Sequence, residues 1–94
     1  MHATIRQYSG SGAGELFDAL EQSEAAVNEL ISSVPGFVSY IAFRTGDGGA
    51  TVTICQDKAG TDESTRRAAA WVAENVNASV GAPTVTEGDA SLHF

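Results

Sequence analysis

The chain has 94 residues, of which 43% are hydrophobic, and its formal net charge at pH 7 is -7. A chain of this length fits a single domain, which we expect to span residues 1–94 and to gain stability from association with a second copy. The acidic balance argues against nucleic acid and anionic membranes as partners, because both attract basic surfaces, and no apolar run approaches the length of a membrane span.

The first predicted element is a short strand over residues 3–8, with Ile5 on one face and Arg6 and Tyr8 on the other. The stretch YSGSGAGELF, which begins at Tyr8, suits either a phosphate cradle or a reversal of the chain. Glu15 stands where a dinucleotide-binding G-x-G-x-x-G motif has its third glycine, and a carboxylate there repels phosphate. We therefore predict that the glycines form a hinge between strand and helix.

A single helix is predicted over residues 15–34, because apolar residues recur there at three- and four-residue steps. These apolar residues are Leu16, Leu20, Val27, Leu30, Ile31 and Val34. The same segment holds acidic residues and no lysine or arginine, namely Glu15, Asp18, Glu21, Glu24 and Glu29. This acidic face is interpreted either as a solvated surface or as a docking surface for a basic partner. Pro35 ends the helix, since proline disfavours the helical conformation in the residue before it.

Two strands joined by a glycine-rich turn follow this helix. Residues 37–44 and 50–56 each alternate between two faces, and the turn at 46–49 supplies the glycines that tight turns require. The segment therefore predicts a β-hairpin.

A second helix and a last strand complete the chain. Thr61 is predicted to cap the second helix, which runs to about residue 77, and the last strand covers about residues 84–94. The order β-α-β-β-α-β predicts an α+β, ferredoxin-like fold, with an antiparallel sheet and two helices on one of its faces.

The other face of the predicted sheet has no helices to cover it. By strand alternation we expect this face to carry Arg6, Tyr8, Val38, Tyr40, Arg44, Thr51 and Thr53. That mixture is too apolar for solvent and too polar for a core. We therefore expect a second copy of the chain to pack against it, sheet on sheet, in a homodimer.

The segment from Val34 to Tyr40, VPGFVSY, resembles the Gly-Phe element at the start of the second strand in the dimeric α/β-barrel superfamily, which includes the antibiotic biosynthesis monooxygenase-like proteins. The segments that follow are also similar, with Asp57-Lys58, Ser64, Arg66-Arg67-Ala68 and Trp71-Val72. The resemblance covers nearly the whole chain in the order of its elements. It implies a homodimer whose two sheets close into one barrel, with a pocket between sheet and helices in each subunit.

The resemblance also implies a range of activities. Some members oxidise phenolic or quinol-like substrates with O2 and use no metal or flavin cofactor, others degrade heme, and many have no known activity. Heme-degrading members use an asparagine, a tryptophan and a histidine at positions where this chain has Gln7, Cys55 or Gln56, and Ala70 or Trp71, which argues against heme degradation. The quinone-forming members use a less fixed set of Asn, Trp, Tyr and Arg, which this chain supplies in Tyr8, Tyr40, Arg44, Trp71 and Asn75.

Neither a metal site nor a nucleophile is expected from the two histidines and the one cysteine. His2 and His93 lie at opposite ends of the chain, where frayed termini are the simpler interpretation, and no metal-ligand spacing exists. Cys55 lies within a predicted strand and is interpreted as a packing residue. A single cysteine excludes an internal disulfide, and with no secretory signal at the N-terminus it predicts a cytoplasmic protein.

Trp71 is the first candidate for a small-molecule pocket. It is interpreted either as core packing or as the wall of an aromatic pocket, with its indole N–H as a donor. Arg67 and Asn75 lie four residues on either side of Trp71 and share roughly its helix face.

A second candidate group, Tyr8, Tyr40 and Arg44 with Arg6, shares one sheet face by alternation. It is interpreted either as a polar layer in the dimer interface or as a site that stabilises a phenolate or enolate. These two groups are expected on opposite faces of the sheet. Two functions therefore stay open: a cofactor-independent monooxygenase-like enzyme for an aromatic or polyketide-type small molecule, and a non-catalytic dimeric module that binds a small molecule or a protein partner.

Overall fold

A computed structural model of the chain covers residues 1–94 and contains one four-stranded sheet with helices against it. The elements in chain order are β1 (His2–Ser9), α1 (Ala13–Gln22), α2 (Glu24–Ser32), β2 (Phe37–Thr45), β3 (Gly48–Cys55), α3 (Lys58–Asn75) and β4 (Thr84–Asp89). The strand order is β2-β3-β1-β4, and every neighbouring pair is antiparallel. This arrangement confirms the predicted ferredoxin-like α+β fold. No helix has both the length and the apolar character needed to cross a membrane.

The first predicted helix is two helices, which meet at Ser23. The backbone of Ser23 leaves the helical region at φ -111° and ψ 30°, although its N–H still donates to the Ala19 carbonyl. α1 packs on β3, whereas α2 packs on β2. Because neighbouring strands of a sheet are twisted relative to one another, a bend at Ser23 lets each helix follow its own strand.

The glycines that precede α1 form a hinge, as predicted. Gly10 and Gly12 have φ values of 78° and 84°, in the left-handed region that favours glycine. A Cβ atom added to Gly12 would lie 2.3 Å from the Ser79 carbonyl oxygen. Gly12 is therefore required both for the turn and for the close approach of the segment that follows α3.

The second predicted helix begins one turn earlier than expected, and the last strand ends earlier. The N-cap of α3 is Asp57, whose carboxylate accepts a hydrogen bond from the Gly60 N–H at 3.1 Å. Thr61 lies inside the first turn, and its hydroxyl donates to the Lys58 carbonyl at 3.1 Å. Aspartate is at least as good an N-cap as threonine, so the earlier cap prevails. β4 stops at Asp89 and does not reach the C-terminus.

The two sheet faces are the reverse of the prediction. Arg6, Tyr8, Thr51 and Thr53 are buried, and hydrogen bonds from Arg6 to α3 place this side of the sheet under the helices. Tyr40 lies opposite Thr53 on the same side, and Arg44 binds α1. Val38 lies within a bulge between Phe37 and Ser39. Alternation sorts residues into two sets, but it does not say which set meets the helices.

The helix-free face, which we call the outer face, carries apolar side chains. Its large apolar residues are Ile5, Ile41, Phe43, Val52 and Ile54, and the polar residues Gln7, Ser39 and Thr86 lie on the same face. Ile41 is 59% exposed in the single chain and Phe43 is 46% exposed. This surface is more apolar than the one predicted from the sequence.

Gly60 marks the closest approach of α3 to the sheet. A Cβ atom there would lie 2.7 Å from Cys55 Cβ and 2.9 Å from the Pro35 carbonyl oxygen. Gly60→Ala is therefore expected to lower the free energy of unfolding by about 1–3 kcal/mol through overpacking, measured by urea denaturation.

Gly14→Ala is the matched control for this change, because no atom lies within 4 Å of a Cβ added to Gly14 in α1. It is expected to raise the free energy of unfolding by about 0.5–1 kcal/mol through helix propensity. If both variants changed the free energy of unfolding by the same amount, the close contact at Gly60 would not limit packing.

Candidate functional site

A buried polar cluster lies between the sheet and α3, with Arg6 at its centre. Arg6 is 1% exposed. Its Nη1 donates to Ser64 Oγ at 3.3 Å and to Thr65 Oγ1 at 3.0 Å, and its Nη2 donates to Thr53 Oγ1 at 3.0 Å. All three acceptors are neutral hydroxyls, so the guanidinium is held in place without a counter-ion.

The buried charge changes the titration of its neighbours. Burial lowers the pKa of Arg6, and the nearby Tyr8 and Tyr40 oppose this shift. Burial raises the pKa of both tyrosines, and the positive charge of Arg6 opposes that shift. A guanidinium is effectively always protonated in proteins, so Arg6 carries a positive charge near neutral pH, and the raised pKa values keep both tyrosines neutral there.

Two polar atoms of the cluster have no hydrogen-bond partner. They are Arg6 Nε and Thr51 Oγ1, which belong to residues directly opposite each other on β1 and β3. Buried polar groups in proteins are nearly always paired, so two unpaired groups on adjacent strands single out this position.

Arg6 and Thr51, the residues that carry the two unpaired groups, both line a small cavity between the sheet and the helices. Its volume is about 20 Å³, room for roughly one water molecule. Arg6, Tyr8, Tyr40, Thr51 and Trp71 line it, with aliphatic side chains from the helices. The residues that line it include no carboxylate and no histidine.

A larger groove opens between α3, β4 and the segment that joins them. It has a volume of about 530 Å³, and its wall includes Arg6, Tyr8, Val72 and Val85. We call it the α3–β4 groove. Arg6, Tyr8 and Val72 line both the small cavity and this groove, so the two adjoin.

A third depression, of about 520 Å³, lies between α1–α2 and β2 and includes Tyr40 and Arg44 in its wall. Arg44 Nε donates to Glu21 Oε2 and its Nη2 donates to Asp18 Oδ1, each at 2.7 Å. These hydrogen bonds raise the pKa of Arg44, chiefly through Glu21. Two carboxylates thus compensate the charge of Arg44, in contrast to that of Arg6.

Of the six predicted pocket residues, Tyr8, Tyr40 and Trp71 line the small cavity. Arg44, Arg67 and Asn75 do not. Arg67 donates to Glu63, to the Leu30 carbonyl and to Ser33, and so ties α3 to α2. The side-chain amide of Asn75 donates to the Trp71 carbonyl at 2.9 Å.

Arg6 lies at the centre of the buried polar cluster, but strand alternation alone did not distinguish it from the other residues on its sheet face. The sequence signal is an arginine within a predicted strand, with hydroxyl residues at Thr51, Thr53, Ser64 and Thr65. Only the structure shows that Arg6 lies opposite Thr51. No sequence pattern reveals that these hydroxyls replace a carboxylate partner, because they come from two elements, β3 and α3, that are both distant from Arg6 in the sequence.

His2 is buried, and the expectation of a frayed N-terminus is wrong. Its Nδ1 lies 2.6 Å from Thr61 Oγ1, and its Nε2 lies 3.5 Å from a carboxylate oxygen of Glu87. Pairing of β1 with both β3 and β4 holds the terminus in place. Cys55 is fully buried, where it packs against its neighbours, and burial raises the pKa of its thiol.

Comparison with solved structures shows where this fold occurs. No protein-family model matches the sequence, and a search of curated proteins gives no match. The chain is similar to a protein of unknown function from Nitrosomonas europaea, with a TM-score of 0.71, 18% identity, and coverage of 99% of this chain and 90% of the other.

Two further structures are similar over 99% of this chain. A variant of MhuD with two manganese protoporphyrin IX molecules bound per active site has a TM-score of 0.65 and 20% identity over 96% of its length. The monooxygenase ActVA-Orf6 of Streptomyces coelicolor, in complex with nanaomycin D, has a TM-score of 0.57 and 18% identity over 88% of its length. The chain therefore has the same fold as these solved structures.

Proposed function

We propose that this protein is a cofactor-independent monooxygenase-like enzyme that acts on an aromatic or polyketide-type small molecule. The observation that carries the proposal is the buried Arg6, held without a counter-ion beside Tyr8, Tyr40 and Trp71. Among proteins of the same fold, SnoaB of Streptomyces nogalater is a cofactor-independent oxygenase, and ActVA-Orf6 is a monooxygenase.

The chemistry needs an electron-rich substrate more than it needs catalytic groups. A carbanion formed beside a phenol or ketone donates one electron to O2, and the resulting radical and superoxide combine in a carbon–oxygen bond. The peroxide takes up a proton and loses water, so one oxygen atom becomes a carbonyl group and the other leaves as water. The positive charge of Arg6 would stabilise the substrate anion from which this sequence starts.

A non-catalytic role is the second candidate, and one observation favours it. The small cavity and the α3–β4 groove lack aspartate, glutamate and histidine, so no side chain of ordinary basicity is placed to remove a proton. A dimeric module that binds a small molecule or a protein partner would need no such group. Under the enzyme proposal, the substrate itself must ionise readily.

The proposed functional unit is a homodimer. The outer face exposes Ile5, Ile41 and Phe43 in the single chain, and contiguous apolar surface of this kind marks an interaction site. A second copy packed sheet against sheet would cover it, while the helix side with Arg6 stays in each subunit. The site would then remain outside the interface.

Oxygen uptake with phenols, hydroquinones and anthrones tests the enzyme proposal. We expect uptake by the wild-type protein with at least one of these classes, with no metal or flavin added. Arg6→Lys keeps the charge but loses the guanidinium donors, and is expected to reduce the rate about 100-fold or more.

Arg66→Lys is the matched control, because the Arg66 side chain is 76% exposed on the same helix layer. Its rate is expected to equal that of the wild type. Absence of uptake with every class would reject the enzyme proposal in favour of the binding module.

A further inference from the structure

We infer that the paired Arg6 and Thr51 side chains form a recognition site for one ionised oxygen of the ligand. The ligand class is then an aromatic acid, a phenolate or a carboxylate, whose apolar body lies in the α3–β4 groove. This inference rests on the proposed small-molecule site but not on catalysis.

The hydrogen bonds of the cluster leave one position open. Arg6 Nη1 and Nη2 are held by Ser64, Thr65 and Thr53, whereas Arg6 Nε and the hydroxyl of Thr51 have no partner in the chain. Both residues are at least nine-tenths buried, and both line the small cavity. A single acceptor atom there would satisfy the two groups together.

Charge selects an anion for this position. Arg6 is the one charged residue in the walls of the small cavity and of the α3–β4 groove. The tyrosines beside it stay neutral, because burial raises the pKa of Tyr8 and Tyr40. A cation would be repelled, and a neutral group would leave the guanidinium without an ionic partner.

Size limits the anion to a small one. The cavity of about 20 Å³ admits about one oxygen atom, so a phosphate or sulfate group is too large for it. The groove of about 530 Å³ falls within the usual range for small-molecule sites. Its walls are mainly apolar, with Ala69, Val72, Val76, Pro83 and Val85, and so suit a fused aromatic body.

Titration with a matched pair of probes tests the inference. 2-Naphthoate and its neutral analogue 2-naphthamide have nearly the same shape and differ in charge. By calorimetry at neutral pH, the acid is expected to bind wild-type protein at least about tenfold more tightly than the amide. The NMR signal of the Arg6 Nε–H group is expected to shift with the acid and not with the amide. 2-Naphthol, titrated below and above its own pKa, tests the phenolate in the same way.

Variants separate recognition from a merely structural role. Arg6→Met is expected to abolish the preference for the acid, and Thr51→Val to reduce it, while the exposed Arg66→Met leaves it unchanged. If Arg6→Met does not fold, the inference is tested by comparing the affinities of 2-naphthoate and 2-naphthamide for wild-type protein and for Thr51→Val. Equal affinity of acid and amide, no binding of either, or an acid affinity that Arg6→Met leaves unchanged would overturn the inference.

This binding test can fail or succeed independently of the enzyme proposal, because 2-naphthoate has no carbon atom that the proposed reaction with O2 could oxidise. Preference for the acid without oxygen uptake by any substrate would keep the anion site and reject the enzyme. Oxygen uptake without a preference for the acid would keep the enzyme and reject the anion site.

Discussion

Phe17→Ala is expected to lower the free energy of unfolding by about 3–5 kcal/mol, the range for removing a large buried aromatic side chain. Phe17 is 2% exposed in α1, and its ring meets that of Tyr8 edge to face, with centroids 6.3 Å apart. Gly49 supplies the space for this ring, since a Cβ there would lie 2.5 Å from the tip of Phe17. The alanine variant therefore loses the contact of the Phe17 ring with Tyr8 and its contact with the backbone at Gly49.

Urea denaturation measures this loss, and Phe94→Ala is the control because Phe94 is fully exposed. The control is expected to change the free energy of unfolding by less than about 0.5 kcal/mol. A loss below about 1 kcal/mol for Phe17→Ala would mean that the core described between α1 and the sheet is not the one that holds the fold together.

Ile41→Glu is expected to convert the proposed homodimer into single chains. Ile41 lies on β2 opposite Val52, which in turn lies opposite Ile5, so it occupies the apolar stripe of the outer face. In a sheet-on-sheet dimer, the new carboxylate would be buried without a partner. We expect the dissociation constant to rise about 100-fold or more, because burying an unpaired charge costs several kcal/mol.

Sedimentation equilibrium measures this change. Ala70→Glu adds the same charge on the exposed part of α3 and is expected to leave the dimer intact. Circular dichroism checks that both variants are folded. If wild-type protein is a single chain at all concentrations, the outer face has another partner and the dimer proposal fails.

The fold was predictable because its strongest local signals agree with one another. The glycine turn at 46–49 separates two alternating runs, and the structure pairs β2 with β3 there. The bend at Ser23 was not predictable, because the apolar stripe continues through it and the cause lies in which strand each half of the helix covers.

The site was only partly predictable from the sequence, because the orientation of its polar residues depends on hydrogen bonds between distant segments. Alternation correctly grouped Arg6 with Tyr8, but polar residues on a strand are ordinarily expected to face away from the core. Here hydroxyls from β3 and α3 satisfy most of the Arg6 guanidinium, so the polar set lies inside and the apolar set faces outward. Such long-range pairing has no signature along the sequence.

Local pairing explains the predicted residues that do not join the site. Arg44 shares a strand face with Tyr40, but Glu21 of α1 binds it. Arg67 shares roughly the helix face of Trp71, but Glu63, four residues earlier in α3, binds it. Arg6 has no carboxylate within hydrogen-bond reach, and this difference sets it apart from the other arginines of the pocket region.

Isotope labelling of the product tests the central claim, that this protein inserts oxygen into an acidic aromatic compound, most directly. The protein would be incubated with an anthrone under labelled O2 in ordinary water, and the product analysed by mass spectrometry against a reaction without protein. The account predicts a protein-dependent carbonyl product that carries one labelled oxygen atom from O2. A product formed equally without the protein, or one labelled only when the water is labelled, would contradict it.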